Sequence, residues 1–148
     1  MMKQNNNKIE FSYYELSLLS YLRENHPDKA DDIAFIKSRA DAAGEAYQMA
    51  FENGGDVQQC IDAANRVLYQ GLHFSKYNTV VSVLLQEFSG EVPQSDVFST
   101  AKRLLPQLEE VFAKFTFSDI FGYSEDFQPL YTELTGVIQL IWEENGKL

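Results

Sequence analysis

The side chains most able to do chemistry gather in one stretch near the middle of the chain, residues 67–79. This stretch holds one of the two histidines, His73, together with Lys76 and two tyrosines, Tyr69 and Tyr77. A histidine that lies beside hydroxyls and an ammonium group can exchange protons near neutral pH. An acid/base site built on Tyr69, His73 and Lys76 is therefore one hypothesis for the function.

The same stretch has the outline of a helix-turn-helix. One helical pattern ends near Gly71, and Ser75 is a residue type that commonly caps the next helix. The second helix would then present polar side chains such as Lys76 and Asn78 to the edges of DNA bases. A groove-reading protein also needs basic residues to hold phosphates, and only Arg66 and Lys76 are close by. A DNA-binding regulator is the alternative hypothesis.

A third interpretation gives this stretch a structural role first. Its aromatic residues would wedge the turn into the core, while His73 and Lys76 satisfy carbonyl groups at helix ends. No nucleophile or cofactor motif elsewhere in the sequence completes a reaction site. We favour this interpretation, with function on the polar edge of the turn. The candidate surface comprises Tyr69, His73, Ser75, Lys76, Tyr77 and Asn78.

Several familiar chemistries lack their sequence signatures. Helical di-metal sites use Glu-x-x-His pairs, and neither His26 nor His73 follows a glutamate by three residues. The chain also lacks Cys-x-x-Cys, His-x-x-x-His, a phosphate loop ending in Gly-Lys-Ser/Thr, and Gly-x-Ser-x-Gly. Cys60 falls on the apolar face of a predicted helix, where a buried thiol is the expected role. We expect no metal, no cofactor and no catalytic residue, and favour a protein that is not an enzyme.

The composition restricts the partners and the compartment. The 148 residues are 45% apolar, which is enough to build a core without disulfides. A net charge of −10 repels phosphate backbones and anionic lipids, so neither nucleic acid nor membrane is the expected partner. A single cysteine suits a reducing cytoplasm, and no apolar run approaches the roughly 20 residues that span a bilayer. We predict a cytoplasmic protein.

Acidic residues concentrate at the start of the second predicted helix. Asp28, Asp31 and Asp32 are expected in its first turns, where carboxylates offset the positive end of the helix dipole. The four-residue spacing of Asp28 and Asp32 could also let one helix face chelate a divalent cation, but a solvated acidic surface is the simpler interpretation. From Glu109 onward acids again outnumber bases, a pattern that fits a solvated face or docking to a basic partner.

The elements that must position these residues are predicted to be helices throughout. Capping boxes are expected at Ser12 with Glu15 and at Asp56 with Gln59, and Pro106 should interrupt the fifth helical pattern. Six patterns follow, over about 12–25, 28–53, 56–71, 75–90, 94–115 and 126–145. The third pattern places its apolar residues on one helix face, namely Val57, Cys60, Ile61, Ala64, Val67 and Leu68. The fold class is all-α, a single-domain irregular antiparallel bundle of about six helices over residues 9–148, after a frayed start at 1–8.

The chain also resembles a known family across almost its whole length. The resemblance lies in residues 30–41, in LYQGLHFSKY at 68–77, in LYTELTG at 130–136, and in the short phrases at 91–93, 104–106 and 143–146. It is similar to the domain-of-unknown-function family numbered 1896. The resemblance implies a small helical protein of Bacteroides or a relative, often encoded in a conjugative element. It implies no activity and no catalytic residues.

The expected function is that of a non-enzymatic accessory protein of a mobile genetic element, acting through protein contacts. A second copy of the chain is one such partner, so self-association is an expectation to be tested.

Overall fold

The computed structural model describes residues 12–148, and all of the regular elements in this range are helical. The α-helices are α1 (Tyr13–Asn25), α2 (Ile33–Glu52), α3 (Val57–Leu68), α4 (Lys76–Glu87), α5 (Val97–Leu104), α6 (Glu109–Phe112) and α7 (Phe127–Asn145). Four 3-10 turns lie between them, at Pro27–Lys29, Gln94–Asp96, Leu105–Leu108 and Phe121–Tyr123. The all-α prediction is confirmed. The predicted frayed start at 1–8 lies outside the described residues.

The two predicted capping boxes are present. At the start of α1, the Ser12 N–H donates to Glu15 Oε1 at 2.8 Å, and the Glu15 N–H donates to Ser12 Oγ at 3.2 Å. At the start of α3, the Gln59 N–H donates to Asp56 Oδ1 at 2.8 Å, and the Asp56 N–H donates to Gln59 Oε1 at 2.9 Å. Each box satisfies amides that a helix leaves without an internal partner, so these two helix starts follow from local sequence.

The predicted start of α2 was wrong. The helix begins at Ile33, because Asp32 takes the capping position and its carboxylate accepts the Phe35 N–H at 3.0 Å. A capping residue has a non-helical backbone, so Pro27–Lys29 forms a separate 3-10 turn upstream. Asp28 and Asp31 therefore precede the helix.

The end of α2 follows the predicted glycine signal. Gly54 has a left-handed backbone with φ of +89°. The Gly55 N–H donates to Ala50 O at 2.9 Å, and the Gly54 N–H donates to Phe51 O at 3.0 Å. This pair of bonds is a Schellman motif, which closes the helix and turns the chain toward α3.

Contacts within the chain define two compact units. Of the described residues, the first unit comprises 12–23 together with Ala30–Tyr69. In it α2 packs along α3, and the Arg39 guanidinium donates to Val67 O and Leu68 O at the end of α3. The buried residues of these two helices are mostly small, namely Ile36, Ala40, Ala43, Cys60, Ala64 and Leu68. Small side chains let the two backbones approach closely.

The second unit comprises Glu24–Lys29 and Gln70–Leu148. Its core is formed by α4, α5, α6 and α7, and large side chains such as Leu84, Leu104, Phe112, Leu134 and Ile138 fill it. The predicted interruption at Pro106 is confirmed, because Pro106 lies in the 3-10 turn that separates α5 from α6. Within residues 12–148, none of the helices combines the length and apolar character needed to cross a membrane. The prediction of one domain over 9–148 stays a prediction.

Candidate functional site

The central turn is fastened by Asp119, a residue 46 positions beyond His73 in the chain. One carboxylate oxygen of Asp119 accepts the Gly71 N–H at 3.0 Å, and the other accepts the His73 N–H at 3.1 Å. The imidazole Nδ1 of His73 lies 3.1 Å from the same carboxylate. Burial alone would raise the pKa of Asp119, but the two backbone donors and His73 outweigh it and hold that pKa below its ordinary value. The turn is therefore set by a charged hydrogen-bond acceptor.

Ser75 begins α4 and holds a second connection. Its hydroxyl donates to Asn25 O and accepts the Asn78 N–H at 2.9 Å. The Asn78 side-chain amide also donates to Asn25 Oδ1, at 2.8 Å. Ser75 is buried and Asn78 is exposed. Their hydrogen bonds tie the start of α4 to the end of α1.

Lys76 faces an aromatic surface. Its ammonium lies 5.5 Å from the ring centre of Phe112 and 5.2 Å from that of Phe117. Phe117 also stacks on Phe74 with ring centres 5.1 Å apart and packs on Phe121 at 4.6 Å. A cation over ring faces gains electrostatic attraction from the aromatic quadrupole. Phe117 therefore contacts both this lysine and Phe74, one of the aromatic residues expected to wedge the turn.

The two tyrosines of the candidate surface have different surroundings. Tyr77 is buried in the core of the second unit, and its burial raises the pKa of its hydroxyl. Tyr69 belongs to the first unit, where its ring lies 4.8 Å from that of Tyr21 and burial raises the pKa of its hydroxyl too. The six predicted residues are thus divided between two units. Within the second unit, the His73 imidazole faces Asp119, whereas the Lys76 ammonium faces phenylalanine rings.

The acid/base hypothesis therefore retains only the pair of His73 and Asp119. This pair is partly exposed, and it lines a cavity of about 330 Å³ beside Asn78 and Ser82. The Lys76 ammonium faces the phenylalanine rings, not the imidazole. The visible role of the pair is to hold the turn.

The helix-turn-helix hypothesis gains no support from α4. Tyr77, Thr79 and Val80 are buried in the opening turns of this helix, and the Asn78 amide is used by Asn25. A recognition helix needs free polar side chains at this position to read base edges. Lys76 is the remaining polar residue of the first turn, and it is held over aromatic rings.

The other histidine is structural in its setting. His26 is buried, and its Nε2 hydrogen-bonds to Leu72 O across 2.7 Å. Burial lowers the pKa of His26, against the opposing effect of that hydrogen bond. The end of α1 is thereby connected to the central turn.

The acidic residues do not assemble into a metal centre in the part of the chain that the structure describes. Residues 12–148 contain no group of three or more His, Cys, Asp and Glu placed to hold a metal ion. Asp32 caps α2, while Asp28 and Asp31 are exposed beyond it. Cys60 is buried, as predicted, with its thiol directed at Gly55 O.

The sequence interpretation missed one surface of the first unit. Val57 and Ile61 share the predicted apolar face of α3 with the buried Cys60, yet they are 66% and 37% exposed. Met49 and Phe51, at the end of α2, are 63% and 62% exposed. We call these four residues the hairpin tip, since they flank the turn that joins α2 to α3. The signal that could have revealed it is large apolar residues next to the turn at Gly54.

Two comparisons with known proteins find a match. The sequence profile of the family described as Domain of unknown function (DUF1896) matches residues 6–147. The crystal structure of protein PG0816 from Porphyromonas gingivalis is similar, with 41% sequence identity and a TM-score of 0.87. The match covers 90% of this chain and 91% of that one. No curated protein matches the chain.

These matches confirm the resemblance noted in the sequence and agree with the helical fold. The setting in a conjugative element stays a prediction. The chain belongs to the DUF1896 family.

Proposed function

We propose that this protein is a non-enzymatic binding module whose hairpin tip docks on a protein partner. The observation that carries the proposal is the distribution of apolar side chains in the first unit. The α2–α3 interface is built largely from alanines and a cysteine, whereas Met49, Phe51 and Val57 are each more than 60% exposed. A group of large apolar side chains left in water is typical of an interaction surface.

The four residues of the hairpin tip lie close together in the sequence, on either side of one turn. Met49 and Phe51 lie in the last turn of α2, and Val57 begins α3 after the short turn at 53–56. Ile61 lies one helical turn beyond Val57, on the same side of α3. The Schellman motif at Gly54 fixes the direction in which α3 leaves the turn. The four tip residues therefore lie on regular elements on both sides of the turn.

The charges around the tip define the chemistry of the partner. Residues 40–65 contain five acids, Asp41, Glu45, Glu52, Asp56 and Asp62, and no Lys, Arg or His. Glu52 and Asp62 accept hydrogen bonds from the neutral amides of Gln48 and Gln58, so their charges are not neutralised. An apolar surface flanked by lysine or arginine would fit this tip, because opposite potentials attract across an interface. A second copy of the chain fits less well, since self-association through the tip would bring two acidic rims together.

Cytoplasm is the compartment that we propose, because the chain has one cysteine and that cysteine is buried. Neither nucleic acid nor membrane is proposed as a partner, given the net charge of −10.

Affinity capture from the native host tests the proposal with three baits, the wild-type chain, the double variant Phe51→Gln/Val57→Gln and the control Leu140→Gln. Leu140 is 57% exposed on α7, so it matches the lost side chains in exposure but lies in the second unit. A tip partner should be retained by wild type and control and lost by the double variant. Its retention should weaken as salt is raised. All three baits should have similar melting temperatures. A partner held equally by the double variant would overturn the proposal.

A further inference from the structure

A second surface, in the other unit, has the properties of a small-molecule site. A cleft of about 560 Å³ lies between the 3-10 turn Pro27–Lys29, the start of α4 and the segment that joins α5 to α6. Its apolar lining comes chiefly from Leu105, Pro106 and Phe112. Binding sites for small molecules are commonly clefts of roughly 300–1,000 Å³ with an apolar lining and a few polar groups.

Two lysines supply the polar groups that an acidic ligand needs. Lys76 and Lys102 both line the cleft, and Lys76 is held over the ring of Phe112, which also lines it. In residues 12–148, no carboxylate oxygen lies within 4.0 Å of either ammonium. An anion that enters the cleft therefore meets two ammonium groups without a carboxylate partner in this range, and Lys76 keeps its contact with the Phe112 ring. An aromatic floor beside a cation suits a ligand that has an apolar body next to its charge.

Two carboxylates restrict how much negative charge the cleft accepts. Asp28 and Glu109 also line it, so the four charged side chains sum to zero. A polyanion such as a nucleotide or inorganic phosphate would be attracted by the lysines but repelled by both acids. A ligand with one negative charge can lie toward the lysines and keep its apolar part against Phe112. We propose that this cleft binds a small organic acid that carries one carboxylate on an apolar or aromatic body.

A titration followed by NMR tests this proposal on the full chain, with 3-phenylpropionate as the probe. The methyl signals of Leu105 and Ala113, which both line the cleft, should shift on addition of the acid. The neutral analogue 3-phenylpropanol should bind about tenfold more weakly, because it cannot pair with an ammonium. Inorganic phosphate should leave the same methyl signals unchanged.

Substitutions then assign the binding to the lysines. Lys76→Gln and Lys102→Gln should each weaken the binding of 3-phenylpropionate about fivefold. The control Lys147→Gln removes an equal charge from a residue that does not line the cleft, and it should bind as wild type does. Equal binding of acid and alcohol, displacement of the acid by phosphate, or binding unchanged in both lysine variants would each overturn the proposal. The hairpin-tip variants leave this cleft intact, so the two proposals can fail separately.

Discussion

Asp119 holds His73 twice, by accepting its backbone N–H at 3.1 Å and by facing its imidazole Nδ1 at 3.1 Å. The same carboxylate accepts the Gly71 N–H. Asp119 lies in the segment between α6 and α7, which is irregular except for the 3-10 turn Phe121–Tyr123. This irregular segment therefore fixes the connection that leads into α4.

Asp119→Asn should lower the free energy of unfolding by about 1 kcal/mol at pH 7, because a neutral amide accepts these hydrogen bonds less strongly. The pKa of Asp119 is held below its ordinary value of 3.8, so its contribution is complete above that value and is lost as the pH falls through the folded-state pKa. Urea unfolding should therefore show a difference from wild type that shrinks in strong acid. Glu125→Gln, an exposed residue of the same region, is the control and should behave as wild type at pH 7.

His26 should make the stability depend on pH in a different range. Burial lowers the pKa of His26 from its ordinary value of 6.5, so the unfolded chain binds a proton at a pH where the folded chain does not. The free energy of unfolding should fall as the pH drops below about 6.5 toward the folded-state pKa. Unfolding of wild type and His26→Gln over this pH range measures the effect, and the variant should lose most of the dependence. If His73→Gln abolished it instead, the assignment to His26 would be wrong.

Tyr131 should titrate well above the ordinary pKa of a tyrosine. Burial, and then its hydrogen bond to Glu87, raise the pKa of Tyr131 to about 12, and its hydroxyl also lies 2.7 Å from Gln86 Oε1. Because this pKa lies above the ordinary value of 10.0, the contribution of Tyr131 is complete below pH 10 and is lost as the pH rises to about 12. Ultraviolet titration of tyrosinate should lose its most alkaline step in Tyr131→Phe. Tyr123→Phe, which removes an almost fully exposed ring, should keep that step.

A glycine inside α2 and a glycine just beyond its end should respond to alanine with opposite signs. Gly44 lies inside the helix, and an added methyl group would meet no atom within 4 Å, so Gly44→Ala should stabilise the chain by about 0.5–1 kcal/mol. Gly54 has φ of +89°, which an alanine adopts only with strain, so Gly54→Ala should destabilise it by about 1 kcal/mol. Thermal melting measures both. Equal signs would contradict the assignment of Gly54 to the Schellman motif.

Local signals in the sequence identified the helix ends well. The capping boxes at Ser12 and Asp56 and the break at Pro106 each depend on residues within a few positions of one another, so they can be inferred without knowing the fold. The start of α2 was misplaced because Asp28, Asp31 and Asp32 were expected inside its first turns, whereas Asp32 caps the helix and the other two precede it.

The surfaces needed information that the sequence does not show locally. Helical periodicity placed Val57 and Ile61 beside Cys60, but α2 contacts a narrower strip of α3 than the apolar pattern suggested. The partnership of Asp119 with His73 spans 46 residues and depends on how an irregular segment folds back. Residues 116–127 are rich in aromatics, but this composition did not indicate which acid would accept the hydrogen bonds of the turn. The sequence of the turn did not indicate it either.

The chain has one cysteine and one tryptophan, and they lie in different units, so the unfolding of each unit can be followed separately. Cys60 is the single cysteine and is buried in the first unit, so its rate of reaction with a thiol reagent measures how often that unit opens. Trp142 is the single tryptophan and lies half-buried on α7 in the second unit, so its fluorescence follows that unit alone. Coincident transitions of the two signals are expected if residues 9–148 unfold as the single cooperative domain predicted from the sequence. Without any substitution, the chain can therefore report the cooperativity between its own two units.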